Sequence, residues 1–183
     1  MKFLSLKEIA NFMIVICIIN PINLYSDNSY NLPTEAKIYA KNGVLYNSGL
    51  YKVNGSLGWR TNNPGNIKHG IFSKRYGSIG VFRGFAIFPS VSMGYSSMIG
   101  LLKTKIYRNL YISNFIERYS PRADDNDTEA YTRYIFKNLN INHDKKIKNL
   151  SKKELKHLVW IISLYEGFSI GDSYILKQKN KGN

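Results

Sequence analysis

The chain has 183 residues, enough for one domain with a real core and too few for two ordinary ones. Its hydrophobic content of 44% and aromatic content of 14%, with Tyr supplying 14 of the aromatic residues, exclude a disordered or low-complexity protein. A formal charge of +14 favours anionic partners such as nucleic acid, acidic lipid or an anionic wall polymer, without choosing among them. The single Cys17 cannot close an internal disulfide, and no Cys/His spacing suits zinc, so neither a metal nor another cofactor is expected.

Lys2 and Lys7 precede the apolar run Ile9 to Ile19, and the chain turns polar at Ser26-Asp27-Asn28-Ser29, the layout of a signal peptide over residues 1–26. The expectation is export to the periplasm or cell envelope; an uncleaved membrane anchor and acylation at Cys17 are the alternatives. The apolar run is shorter than the roughly 20 residues that span a bilayer. Residues 27–58, rich in Asn, Tyr, Gly and Ser, read as a loose lead-in with a hairpin around Ile38-Tyr39 and Val44-Leu45-Tyr46.

The main domain is placed at 59–172 and a basic tail at 173–183. Thr61 to Phe88 is dense in Gly and aromatics and lacks helical periodicity, which predicts loops and short strands, with Phe82, Phe85 and Phe88 facing the core. A helix is expected from Ser90 or Ser92 to about Tyr107, with Met98, Leu101, Leu102 and Ile106 on one side. A second should run from Ser113 to Tyr119 before Pro121, and a third from an Asn126/Glu129 cap to Leu139. The last opens on the capping box Ser151-x-x-Glu154 and stops at Gly167. The predicted fold is therefore mainly α within α+β, about four helices with a small β or loop region.

Leu155, Val159, Ile162 and Glu166 are spaced by four, three and four, so the carboxylate closes the apolar stripe of the last helix. Desolvation there raises a carboxyl pKa, as a general acid near neutral pH requires; fraying into solvent is the alternative. In Asn62-Asn63-Pro64-Gly65-Asn66-Ile67-Lys68, three amides flank a Pro-Gly turn and suit hydroxyl or acetamido groups, unless they bond their own backbone. Arg118-Tyr119-Ser120-Pro121 and Asn126 to Tyr131 place carboxylates at a helix start, where capping accounts for them and a substrate role for Asp127 or Glu129 is the alternative. Lys145-Lys146, Lys152-Lys153 and the tail are the basic runs. His69, His143 and His157 lack partner spacing.

Arg60 to Gly167 resembles a bacterial and phage family labelled virion structural protein. The resemblance rests on R-x-N-N-P-G-N-I at Arg60 to Ile67, F-x-x-F-x-S at Phe85 to Ser90, and Arg118 to Pro121 followed by Asn126 to Tyr131. It closes on Tyr165-Glu166-Gly167, where the family has E-N-G and this chain has Glu166-Gly167-Phe168. The loop and the Phe85 to Ser90 segment are also similar to those of wall-cleaving glucosaminidases, whose catalytic Glu precedes the Asn loop. The resemblance implies a lysozyme-like domain, circularly permuted, with Glu166 as catalytic acid facing the Asn loop across a cleft. It implies substrate contacts from Asn62, Asn63, Asn66, Lys68, Tyr119, Asp127 and Tyr131.

The expected activity is cleavage of peptidoglycan glycan strands by a glycosidase or lytic transglycosylase. The alternative is a non-catalytic wall-binding or virion structural module. Expected partners are glycan strands and anionic envelope polymers, with no specific nucleic acid, and the chain is read as a monomer.

Overall fold

In the computed structural model the residues described are 36–39 and 43–175. The leader with Cys17, residues 27–35 and 40–42 of the lead-in, and the tail beyond residue 175 lie outside them. The expectation of a mainly α, lysozyme-like domain of four helices is corrected. Among the described residues, six α-helices stand beside two antiparallel sheets, one four-stranded and one two-stranded, a mixed α+β arrangement.

The larger sheet orders β1 (Ala36–Tyr39), β2 (Gly43–Tyr46), β3 (Leu50–Val53) and, last in the chain, β6 (Asp172–Ile175). Its strands are four residues long, so each carries too short an alternation to announce itself, and the β3 to β6 pairing Tyr51 with Tyr174 is a purely tertiary event. Gly49 at φ 82 closes the β2 to β3 turn, donating its N–H to the Tyr46 carbonyl at 2.9 Å. Val44 and Tyr46 bury fully against Phe82 and Ile87 in a small core of their own.

Between Val53 and the first long helix the chain makes two short helices and a hairpin. These are α1 (Leu57–Arg60), α2 (Ile71–Arg75), β4 (Gly80–Phe82) and β5 (Phe85–Ile87). The hairpin turns on Arg83 and Gly84, both at positive φ, the two-residue turn that matches strand twist. Phe82 and Phe88 are buried as expected, whereas Phe85 is half-buried and faces a cleft described below.

The long helices are α3 (Val91–Leu102), α4 (Ile112–Tyr119), α5 (Thr128–Asn138) and α6 (Lys152–Tyr165). Ser90 caps α3 by accepting from the Met93 N–H at 3.2 Å. The helix ends five residues short of the expected Tyr107, where the Thr104 hydroxyl takes the Leu101 carbonyl at 2.8 Å and leaves Ile106 exposed. Asp127, and not Asn126, caps α5 by accepting from the Ala130 N–H at 2.8 Å; Asn126 instead donates to the Pro121 carbonyl. Both halves of the Ser151/Glu154 capping box are present.

The end of α6 fixes the site. Gly167 at φ 71 sends its N–H to the Leu164 carbonyl, and Phe168 sends its own to Ser163, the paired bonds of a Schellman stop. The Phe168 ring then packs edge-on to Trp59 at 6.3 Å and against Tyr95 at 6.4 Å. Leu155, Val159 and Ile162 are buried in the main core with Phe115, Ile135 and Met98, so the stripe that ends on Glu166 does face inward.

Candidate functional site

The segment Asn62 to Lys68 is a scaffold before it is anything else. Asn62 and Asn66 hold left-handed backbone, at φ 54 and 47, which Asn tolerates better than most residues. The Asn62 amide donates to the carbonyls of Phe88 and Pro89, and that of Asn63 donates to Ile67 and Ala86 while its oxygen accepts from the Ile67 N–H. Both side chains are buried and neither lines the cleft. The sequence assigned them to substrate; their amides are committed to the protein instead. Gly65 abuts Met98, and a Cβ on Gly94 of α3 would collide with the Asn62 carbonyl oxygen, so loop and helix meet backbone to backbone.

Behind the loop sits a cation that sequence reading passed over. Lys52 of β3 is buried, donates to Asn62 Oδ1 at 2.7 Å, and lies 3.3 Å above the Trp59 ring. Burial pulls its pKa down to about 7, against the Trp59 face and the Asn62 carbonyl, which both favour the ammonium. The unfolded chain, with a lysine near 10.5, then binds more protons than the folded one between those two values. Unfolding free energy is therefore expected to rise by a few kcal/mol from pH 7 towards pH 10. Urea titrations across that range check it: a Lys52→Met variant should lack this rise, and identical slopes in both proteins would refute it.

Asn66 is the amide that reaches the site. Its Nδ2 donates to Glu166 Oε2 at 2.9 Å, and the Tyr131 hydroxyl donates to Glu166 Oε1 at 2.9 Å. The expected apposition of Glu166 and the loop is thus a direct contact. Burial raises the Glu166 pKa above the ordinary carboxyl value, while the two hydrogen bonds pull it back. Each carboxyl oxygen accepts one bond from the protein and keeps one lone pair. Asn66 Oδ1 is buried with no partner among the described residues, an acceptor left open beside the carboxyl.

Three tyrosines brace this pair. Tyr131 stacks on Tyr165 with centroids 3.7 Å apart and meets Tyr119 edge-on at 6.4 Å. The Tyr119 hydroxyl donates to the Gly65 carbonyl at 2.6 Å, tying α4 to the loop. Burial pushes both hydroxyls well above the usual phenol range, which keeps them neutral donors.

Glu166, Asn66, Lys68 and Tyr119 line a cleft of about 560 Å³, together with Arg118, Asp124 and Asn126 and the apolar faces of Phe72, Phe85 and Tyr107. Lys68 pairs with Asp124 at 2.9 Å, joining two segments of the lining. Asp127, assigned to substrate, is spent on the α5 cap, and Glu129 pairs with Arg122 outside the lining. Asp124 was missed because nothing in its local sequence separates it from a turn acid.

The arrangement is a carboxyl group held protonatable by burial, braced by two neutral donors, and open to a cleft with aromatic walls. That suits proton transfer to a neutral, hydroxyl-rich substrate. No protein-family model matches the chain, and no curated protein shows significant similarity to it.

Proposed function

We propose that this protein cleaves the glycan strands of peptidoglycan, with Glu166 as the general acid. The observation that carries the reading is the half-buried Glu166 carboxyl, its pKa raised, on the wall of the cleft and held by Asn66 and Tyr131. Glu166 gives its proton to the glycosidic oxygen as the bond from the sugar anomeric carbon breaks, and the anion left behind keeps both hydrogen bonds. Phe85 and Tyr107 offer flat apolar faces for sugar rings. The expected leader over residues 1–26 would bring the chain to the wall.

An oxocarbenium-like centre needs a second carboxylate or help from the substrate. Asp124, the other acid of the lining, is paired with Lys68. This favours attack on the anomeric carbon by the C6 hydroxyl of the same muramyl residue, whose proton returns to the Glu166 carboxylate. The atoms balance without water, and the product carries a 1,6-anhydro end.

Incubation of the full chain with purified peptidoglycan, followed by mass analysis of soluble products, tests the reading. Anhydro-ended fragments, one water lighter than hydrolysed ones, are expected. Hydrolysed ends would overturn the transglycosylase step, and retention on sacculi without release would assign the cleft to binding alone.

A further inference from the structure

Several cations that the cleft does not use lie near the start of the last helix. Residues 108–112 and 145–148 are coupled through their backbones: Lys148 donates to the Arg108 carbonyl at 2.9 Å, Ile147 to Leu110 at 3.0 Å, and Ile112 to Lys145 at 3.2 Å. Arg108 and Lys148 are thereby set side by side. With Lys103 they rim a hollow of about 260 Å³ floored by Leu102, Ile147 and Leu155, which are 1%, 2% and 5% exposed. None of the three cations has an ion-pair partner among the described residues. The nearby acid Glu154 is spent on Lys145 at 2.9 Å, and Asp144 is exposed beside it.

Two further features accompany the hollow. Ile106 is 56% exposed and Tyr111 is 42% exposed, in the same segment as Lys105 and Arg108, with Lys146 lying 5.0 Å over the Tyr111 ring. Lys152 and Lys153 occupy the first turn of α6, where the helix dipole disfavours cations. Their charge therefore brings no helix stability and adds to the field at this end.

We propose that this end of the molecule, centred on Lys103, Arg108 and Lys148, docks on an anionic phospholipid surface. The unpaired cations take headgroup phosphates, and the exposed Ile106 and Tyr111 meet the acyl boundary. A soluble polyanion would need only the cations; the exposed Ile106 and Tyr111 among them favour a lipid. The hollow shares no residue with the lining of the cleft.

Flotation of the full chain with vesicles of phosphatidylcholine alone, or of phosphatidylcholine and phosphatidylglycerol in equal parts, tests this. The leader is present throughout, so the readout is the preference for the anionic vesicles. Wild type should prefer them. Lys103→Gln/Arg108→Gln/Lys148→Gln should lose roughly 100-fold of that preference, at about fivefold per cation. A control that neutralises the exposed Lys74, Arg75 and Lys137 should lose much less, and Ile106→Ser should weaken binding several-fold at unchanged charge. Equal losses in the two triple variants, or no preference in wild type, would overturn the proposal. Displacement by soluble poly(glycerol phosphate), with Ile106→Ser behaving as wild type, would assign the surface to a polyanion instead.

Discussion

Glu166→Gln should fold as stably as wild type at neutral pH and release soluble fragments from peptidoglycan roughly 10²-fold to 10⁴-fold more slowly, the span set by losing a positioned general acid. The backbone at this position is held by Gly167 and Phe168 and is indifferent to the side chain. The amide oxygen of Gln still accepts from Tyr131, and Asn66, whose oxygen has no partner, can turn to accept from the new NH₂. Stability should even favour the variant as pH rises. The folded Glu166 pKa lies above 4.5, so the folded state holds its proton more tightly than the unfolded state. Wild type therefore loses stability as pH climbs from 4.5 through the folded pKa, and Gln does not. Zymography beside urea titration at two pH values measures both effects. Clearing that survives the substitution would remove Glu166 as the acid.

Glu166 was legible because two local rules meet on it. The stripe Leu155, Val159, Ile162 carries it onto the buried face, and the Gly167 stop fixes where the helix ends. The capping box at Ser151 was legible for the same reason, since the chemistry of a cap lies within four residues. The larger sheet was not. Its strands have four residues each, and β6 pairs with a strand about 120 residues earlier, so no window of sequence contains the evidence for it. The Asn loop falls between these cases. Its three amides were visible as hydrogen-bonding groups, but an amide serves a backbone carbonyl and a sugar equally well, and only the fold decides which one it meets. Lys52 was hidden similarly, because a lysine in a short alternation reads as a solvated face until Trp59 and Asn62 close over it.

That division of labour within the loop makes a second expected result as large as the first. Asn63→Ala removes three hydrogen bonds at a fully buried site and leaves the Ile67 N–H and the Ala86 carbonyl without that partner, while the Ile67 carbonyl keeps the Ala86 N–H at 2.9 Å. Unfolding free energy should fall by about 2–5 kcal/mol, from roughly 1–3 kcal/mol for each orphaned buried group. Asn66→Gly deletes only the bond to Glu166, and glycine accepts the left-handed backbone there, so its stability should stay within about 1 kcal/mol of wild type. The bond it removes favours the carboxylate, so the Glu166 pKa should rise further. A general acid works while protonated, and the fall in rate on the alkaline side should therefore move to higher pH in Asn66→Gly. In Asn63→Ala, corrected for the folded fraction, that limb should stay where it is in wild type. If the alkaline limb moves equally in both variants, the loop acts on Glu166 as one body; if it moves in neither, Asn66 does not tune the acid.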